Sequence, residues 1–166
     1  MDHSQPNASA EQPDHKWQGQ RRIHLTVATI VTDGDRFLLV EESPFGTQLL
    51  NQPAGHVEPG EQIIAAAVRE TLEETGYLVQ LSHFLGHYHY YPEAIPASYH
   101  RFCFIADQFQ RIDDAVIDSD IDRPVWLSYP EILARREQLR SQLVLDCIDD
   151  YLAGVRHPLS QFDRQR

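Results

Sequence analysis

The sequence predicts an α/β fold. Several β-branched and aromatic runs of strand length flank one segment, Gln62 to Thr75, that contains neither proline nor glycine. A C-terminal stretch from Pro130 to Leu152 adds apolar residues at helical spacing. Strands interleaved with helical segments pack as layers around a sheet. The chain has 166 residues, enough for one domain with a real core, and its 42% apolar and 23% charged residues are ordinary for a soluble globular protein.

The elements follow in order. Residues 1–21 hold little that enters a core and read as a disordered tail, in which His3 and His15 are solvated. The domain proper is 22–154. Ile23 to Val31 is a buried strand, and Asp33-Gly34 turns it into Arg36 to Glu41, so the pair reads as a hairpin across Thr32 to Asp35. Ser43 to Thr47 is a loop with Pro44 and Gly46, and Leu49 to Gly55 leads into the central segment. Leu78 to Tyr91 reads as one or two strands interrupted near Gly86. Pro92 to Ala97 is a loop, Tyr99 to Ala106 a strand, Ile112 to Asp122 an acidic loop, and Pro124 to Leu127 the last strand, with Trp126 in the core. Pro130-Glu131 opens a helix that runs to Leu152 with a break near Ser141. Gly154 and Pro158 end it, and 155–166 reads as a tail.

The chemistry concentrates in GHVEPGEQIIAAAVRETLEETGY, Gly55 to Tyr77. Pro59-Gly60 marks a turn, Gln62 to Thr75 a helix, and Gly76 suits the left-handed position beyond a helix end. Glu70, Glu73 and Glu74 then share one helix face, while Ile64, Val68, Thr71, Leu72 and Thr75 point toward a core. Three carboxylates on one face repel, and a divalent cation is the simplest compensation. Hard oxygen ligands favour magnesium, with manganese the other candidate. Taken alone, such a run also fits a solvated acidic face.

The spacing Gly55, Glu61, Arg69-Glu70, Glu73-Glu74, Gly76 resembles the box of the Nudix hydrolases, with one departure: Thr71 stands where the family usually has an aliphatic residue. The strings HLTVATIV, LLNQPAGHVEPGE, DSDID and LRSQLVLDCI extend the resemblance, over Ile23 to Leu152, to the small bacterial phosphatases of that family. It implies an α/β/α sandwich: a mixed, twisted sheet with the box helix on one face and the C-terminal helix on the other. It also implies metal-dependent hydrolysis of nucleoside di- and triphosphates and of related pyrophosphates, thiamin pyrimidine pyrophosphate included. In this pattern Glu70, Glu73, Glu74 and the Gly55 carbonyl hold the metal. Arg69 and Glu61 brace the loop against the helix, and Asp118 or Asp120 supplies a further ligand or a general base.

Several residues keep two readings. Asn51 and Gln52 either bind substrate or stabilise a turn. In His87-Tyr88-His89-Tyr90-Tyr91, alternation puts Tyr88 and Tyr90 on one face, as an aromatic wall for a heterocycle or as cross-strand packing; His87 and His89 favour packing over a metal pair. Arg101 faces either a phosphate or solvent.

A net charge of -11 argues against a nucleic-acid partner. No apolar run reaches the roughly 18 residues of a membrane span, and Cys103 and Cys147 form neither a disulfide framework nor a zinc signature, so a cytoplasmic protein is expected, as monomer or homodimer, acting on a small phosphorylated molecule. Two other functions share the box: a dinucleoside polyphosphate, ADP-ribose or RNA 5'-end pyrophosphohydrolase, and a nucleotide sensor without turnover. The intact acids count against the sensor.

Overall fold

A computed structural model describes residues 22–92 and 96–162. The expected N-terminal tail, with His3 and His15, lies outside the described residues. Strands are β1 (Arg22–Asp33), β2 (Arg36–Glu42), β3 (Leu49–Asn51), β4 (Ala54–His56), β5 (Tyr77–Tyr90), β6 (Ala97–Arg111) and β7 (Ile121–Ser128). Helices are α1 (Ile63–Thr75), α2 (Tyr129–Ala134) and α3 (Leu143–Leu152). The sheet has seven strands in the order β3-β2-β1-β6-β5, with β4 added on β1 and β7 on β2. The β1/β6 pair is parallel and the others are antiparallel, so the sheet is mixed.

β1 organises the sheet because Thr26 to Val31 is buried without interruption, as expected of a strand covered on both faces. Its apolar residues sort by alternation: Ala28 and Ile30 meet α2 and α3, while Val27 meets α1. The hairpin to β2 closes at Asp33↔Arg36, and Gly34 takes φ 61°, which the tight turn demands. Helices on both faces make the α/β/α sandwich that the sequence implies.

α1 is tied to the sheet by small residues. Ala66, Ala67, Thr71 and Thr75 are buried, whereas Ile64 and Val68 are half-buried at the edges of the core and Leu72 is half-buried too. The Thr71 hydroxyl donates to the Ala67 carbonyl at 2.7 Å and accepts from the Thr29 hydroxyl at 2.9 Å. The departure from an aliphatic residue is thus matched by a polar partner on β1, and no buried hydroxyl is stranded. Gly76, at φ 72°, caps the helix and donates to Leu72 O, as expected.

Two readings need correction and one is refined. β5 is one continuous strand; the irregularity near Gly86 is a register shift against β6 and not a break. The break expected near Ser141 in the C-terminal helix is present but wider, because residues 135–142 form a 3-10 turn and a connector whose Arg140 N–H donates to Leu50 O at 2.8 Å. The segment after α3 is packed and not a tail through Phe162. His157 exchanges main-chain hydrogen bonds with Phe84, and the Phe162 ring lies 5.0 Å from Phe84 and 5.3 Å from Phe104. Residues 163–166 lie outside the described residues. Trp126 is half-buried against Val31, Leu38, Val79 and Ala106, its indole N–H donating to the Tyr77 hydroxyl.

Candidate active site

β4 and α1 meet at Gly55. The register Val27↔Gly55 sets β4 against β1, and the Glu70 carboxylate lies so close that a Cβ at position 55 would run into it. That close approach is the physical reason for glycine here. One turn further, Glu74 accepts a hydrogen bond from the Ala54 N–H at 2.8 Å. Both carboxylates face a cleft of about 610 Å³.

Arg69 braces this wall. Its guanidinium holds Glu61 through Nε (2.7 Å) and Nη2 (2.8 Å), reaches Glu70 at 2.8 Å and Glu73 at 2.9 Å, and donates to the His56 carbonyl at 3.0 Å. Glu61 in turn accepts from the Glu58 N–H, closing the loop onto the helix. These contacts pull the Glu61 carboxyl down to about 2, chiefly through the Arg69 hydrogen bonds, and hold the arginine firmly protonated. Glu73 points to Arg69 at the exposed end of the same helix face and does not line the cleft.

Glu70 and Glu74 behave differently from Glu61. Burial pushes both carboxyls upward, Glu74 to about 8, with the charges of Glu70, Glu42 and Asp118 adding to its shift. Six carboxylates, those of Glu42, Glu58, Glu70, Glu74, Asp118 and Asp120, line the cleft against the two guanidiniums of Arg101 and Arg140. Among the described residues no three acids or histidines already form a closed cation cage. The donors are nonetheless all carboxylate or carbonyl oxygens, which fits magnesium or manganese and not a soft metal.

The other walls come from the rest of the sheet and the loops around it. Asp118 and Asp120 line the cleft from the loop before β7, where the Asp118 N–H donates to Glu73 O at 2.8 Å and fixes the loop against α1. Arg101 forms part of the floor from β6 and is 8% exposed. It donates to Gln52 Oε1 at 3.0 Å and Asn51 Oδ1 at 3.4 Å, while its Nε is buried with no partner among the described residues. Gln52 is anchored by a bond to Val144 O, so it orients the arginine, and Asn51 reaches the cleft itself. Arg101 faces the cleft, resolving its two sequence readings against solvent.

Tyr90 lines the cleft and Tyr88 does not. They share a face, as alternation predicts, but Tyr88 packs in the core and donates to Asp150 of α3 at 2.8 Å, so it is a packing residue. The aromatic neighbour of Tyr90 is Tyr99, whose ring lies 6.4 Å away and stacks on His24 at 4.6 Å. His24 is hydrogen-bonded to cleft-lining His56 at 2.9 Å. On the opposite face the His100 ring stacks on His87 and lies tilted against His89, and His87 and His100 share a hydrogen bond at 2.9 Å, in keeping with the packing reading.

Sequence reasoning missed Glu42, Tyr99 and Arg140 as cleft residues. Alternation along β2 and β6 could have placed the first two on a face, but only the assembled sheet puts that face over the cleft.

Comparisons with known proteins agree with this geometry. The NUDIX domain family model matches residues 22–147. Phosphatase NudJ of Shigella boydii is 43% identical over 137 residues, covering 82% of this chain and 88% of that protein, and Phosphatase NudJ of Escherichia coli K12 matches equally well. A solved NUDIX hydrolase from Nitrosomonas europaea superposes with a TM-score of 0.82 at 42% identity, over 87% of this chain and 97% of that one. A MutT NUDIX hydrolase from Burkholderia pseudomallei shares the fold, with a TM-score of 0.66 at 16% identity over 78% of this chain and 98% of its own.

Proposed function

The chain belongs to the Nudix hydrolase family, and on that premise we propose that it is a divalent-metal-dependent phosphatase. Its substrates are nucleoside di- and triphosphates and related pyrophosphates, thiamin pyrimidine pyrophosphate among them. Glu70 and Glu74, with the Gly55 carbonyl, hold magnesium or manganese, while Glu73, the third expected ligand, pairs with Arg69 outside the cleft and supports the acid wall. Such an ion, once bound, neutralises phosphate charge and lowers the pKa of coordinated water.

The chain's own groups do the rest. Arg69 and Glu61 keep the acid wall rigid, so that the carboxylates do not collapse together or turn away. Arg101, oriented by Gln52 and Asn51, takes an anionic phosphate oxygen through a charge-assisted hydrogen bond. Asp118 or Asp120 accepts the proton of the water that attacks phosphorus, and the leaving phosphate carries the electron pair of the broken P–O bond. Tyr90 at the rim stacks on the heterocycle. The free, buried cysteines accord with a reducing cytoplasmic setting, and no described helix is long and apolar enough to cross a membrane.

The observation that carries this reading is the joining, in one cleft, of an over-charged carboxylate wall with a buried guanidinium that no carboxylate neutralises among the described residues. The test is release of orthophosphate and pyrophosphate from nucleoside di- and triphosphates, thiamin-pathway pyrophosphates, ADP-ribose and diadenosine polyphosphates, with and without magnesium. Magnesium-dependent orthophosphate from the first groups is expected. Tight nucleotide binding with no turnover on any compound would replace the phosphatase by a sensor. Glu74→Gln is expected to lower turnover by at least about a hundredfold in a folded protein. Near-normal turnover would remove its ligand role.

A further inference from the structure

Glu41 and Glu42 are adjacent on β2 and differ sharply in how their charge is met. Glu41 turns away from the cleft into a closed network: Arg123 at 2.7 Å and Arg135 at 2.8 Å, each on its own carboxylate oxygen. Glu42 turns into the cleft and is half-satisfied. Its Oε2 pairs with Arg140 at 2.8 Å, and its Oε1 is buried with no hydrogen-bond partner among the described residues. A buried carboxylate oxygen without a donor is costly, more so than a neutral group, and such an atom in a native cleft calls for a missing partner.

Its position shows which partner. Across the sheet Glu42 pairs with Ile121, at the end of the loop that carries Asp118 and Asp120, and a register shift at Glu41/Glu42 re-aims the strand there. It lines the same cleft as Glu70, Glu74, Asp118 and Asp120. The unpaired oxygen therefore faces a region already crowded with anionic groups, where another anion would be repelled. Arg140 is anchored by its main chain to β3 and is 46% exposed at the side chain, whereas Glu42 is 14% exposed. The counter-ion on the outer oxygen is thus a rim residue, while the inner oxygen has none.

We infer that Glu42 is a further cation-binding carboxylate of this cleft, lying outside the Gly55–Tyr77 segment, and that Arg140 is its rim counter-ion, which competes with the metal for its charge. The inference rests on the metal-dependent reading above. In it Arg140 tempers affinity: with the guanidinium in place Glu42 contributes a fraction of its charge, and a substrate phosphate that draws Arg140 away strengthens the hold on the ion.

The experiment is Mn²⁺ binding to the full chain without substrate, read from the electron paramagnetic resonance of free Mn²⁺, for the wild type, Glu74→Gln, Glu42→Gln and Arg140→Ala. Glu42→Gln is expected to weaken Mn²⁺ about tenfold. Arg140→Ala is expected to tighten it by about two- to fivefold. The opposite signs separate a ligand from a structural ion pair, whose two halves would shift binding in the same direction. Weakening by Glu74→Gln with no change in Glu42→Gln overturns the inference alone. No effect of Glu74→Gln overturns the metal reading and the inference together. Should Glu42→Gln not fold, Arg140→Ala decides: unchanged or weaker binding overturns the proposal.

Discussion

Arg69 braces the acid wall of the cleft and Arg101 lines its floor, and the two spend their charge in opposite ways. Arg69, 25% exposed at its side chain, meets three glutamates and a main-chain carbonyl. Arg101, 8% exposed, meets two neutral amide oxygens, and its Nε has no partner among the described residues. The more buried cation has the weaker compensation, the reverse of what stability alone would select. A guanidinium neutralised on every side is a brace. One held in place by dipoles alone keeps its charge for a ligand.

The widest separation between them comes from replacing each with methionine, which preserves much of the volume. Arg101→Met is expected to lower kcat/KM by about a hundredfold or more through KM, as loss of a buried charged contact does, and to leave the melting temperature equal or higher. If it instead melts far below the wild type with KM unchanged, Arg101 is a structural residue. Arg69→Met should do the opposite in stability, costing about 3 kcal/mol because Glu61 and Glu70 lose their shared cation. Denaturant unfolding with an unchanged midpoint would deny it the bracing role.

The acids on the two sides of Arg69 sharpen the contrast through pH. Glu61 ionises below its ordinary value in the folded chain, so its contribution is present above about pH 4.5 and is lost as pH falls toward 2. Glu74 has the opposite sign. Its carboxyl is raised to about 8 by burial, so the cation-free fold binds an extra proton, and this stabilisation is lost as pH rises from about 4.5 through 8. Thermal melts in chelator should show that decline between pH 5 and 8, and Glu74→Gln should flatten it. A decline of equal size in the glutamine variant would assign it to another group.

The smallest effect is expected behind the wall. Thr71→Val removes the hydroxyl that joins α1 to Thr29, and should cost about 1 kcal/mol with turnover little changed. A large loss of turnover would mean that the ligand face is sensitive to packing beneath it.

What was legible in the chain was what local spacing encodes. The order of Gly55, Glu61, Arg69, Glu70, Glu73 and Glu74 shows a loop–helix unit and its acid face, because helical periodicity and glycine's freedom act within a few residues. Alternation also placed Tyr88 and Tyr90 together. It could not show that α3 covers one and stops short of the other, since that depends on where Asp150 arrives from elsewhere in the chain. Glu42 and Arg140 escaped for the same reason: they are 98 positions apart and meet only through the pairing of β3 with β2 and with the α2–α3 connector. Ile64, Val68 and Leu72 looked like the buried face of α1, yet Ala66 and Ala67 are the residues in closest cover. A helix lying close against a sheet buries its smallest residues most completely and leaves larger ones to flank the contact.

The most direct measurement is a crystal structure of the wild type with Mn²⁺ and a methylene-bridged nucleoside diphosphate analogue, using the anomalous signal to locate the metal. The account predicts manganese against Glu70 and Glu74 beside Gly55, with an analogue phosphate on the Arg101 guanidinium. Manganese elsewhere on the protein, or a phosphate bound by Arg69 with Arg101 untouched, would contradict it.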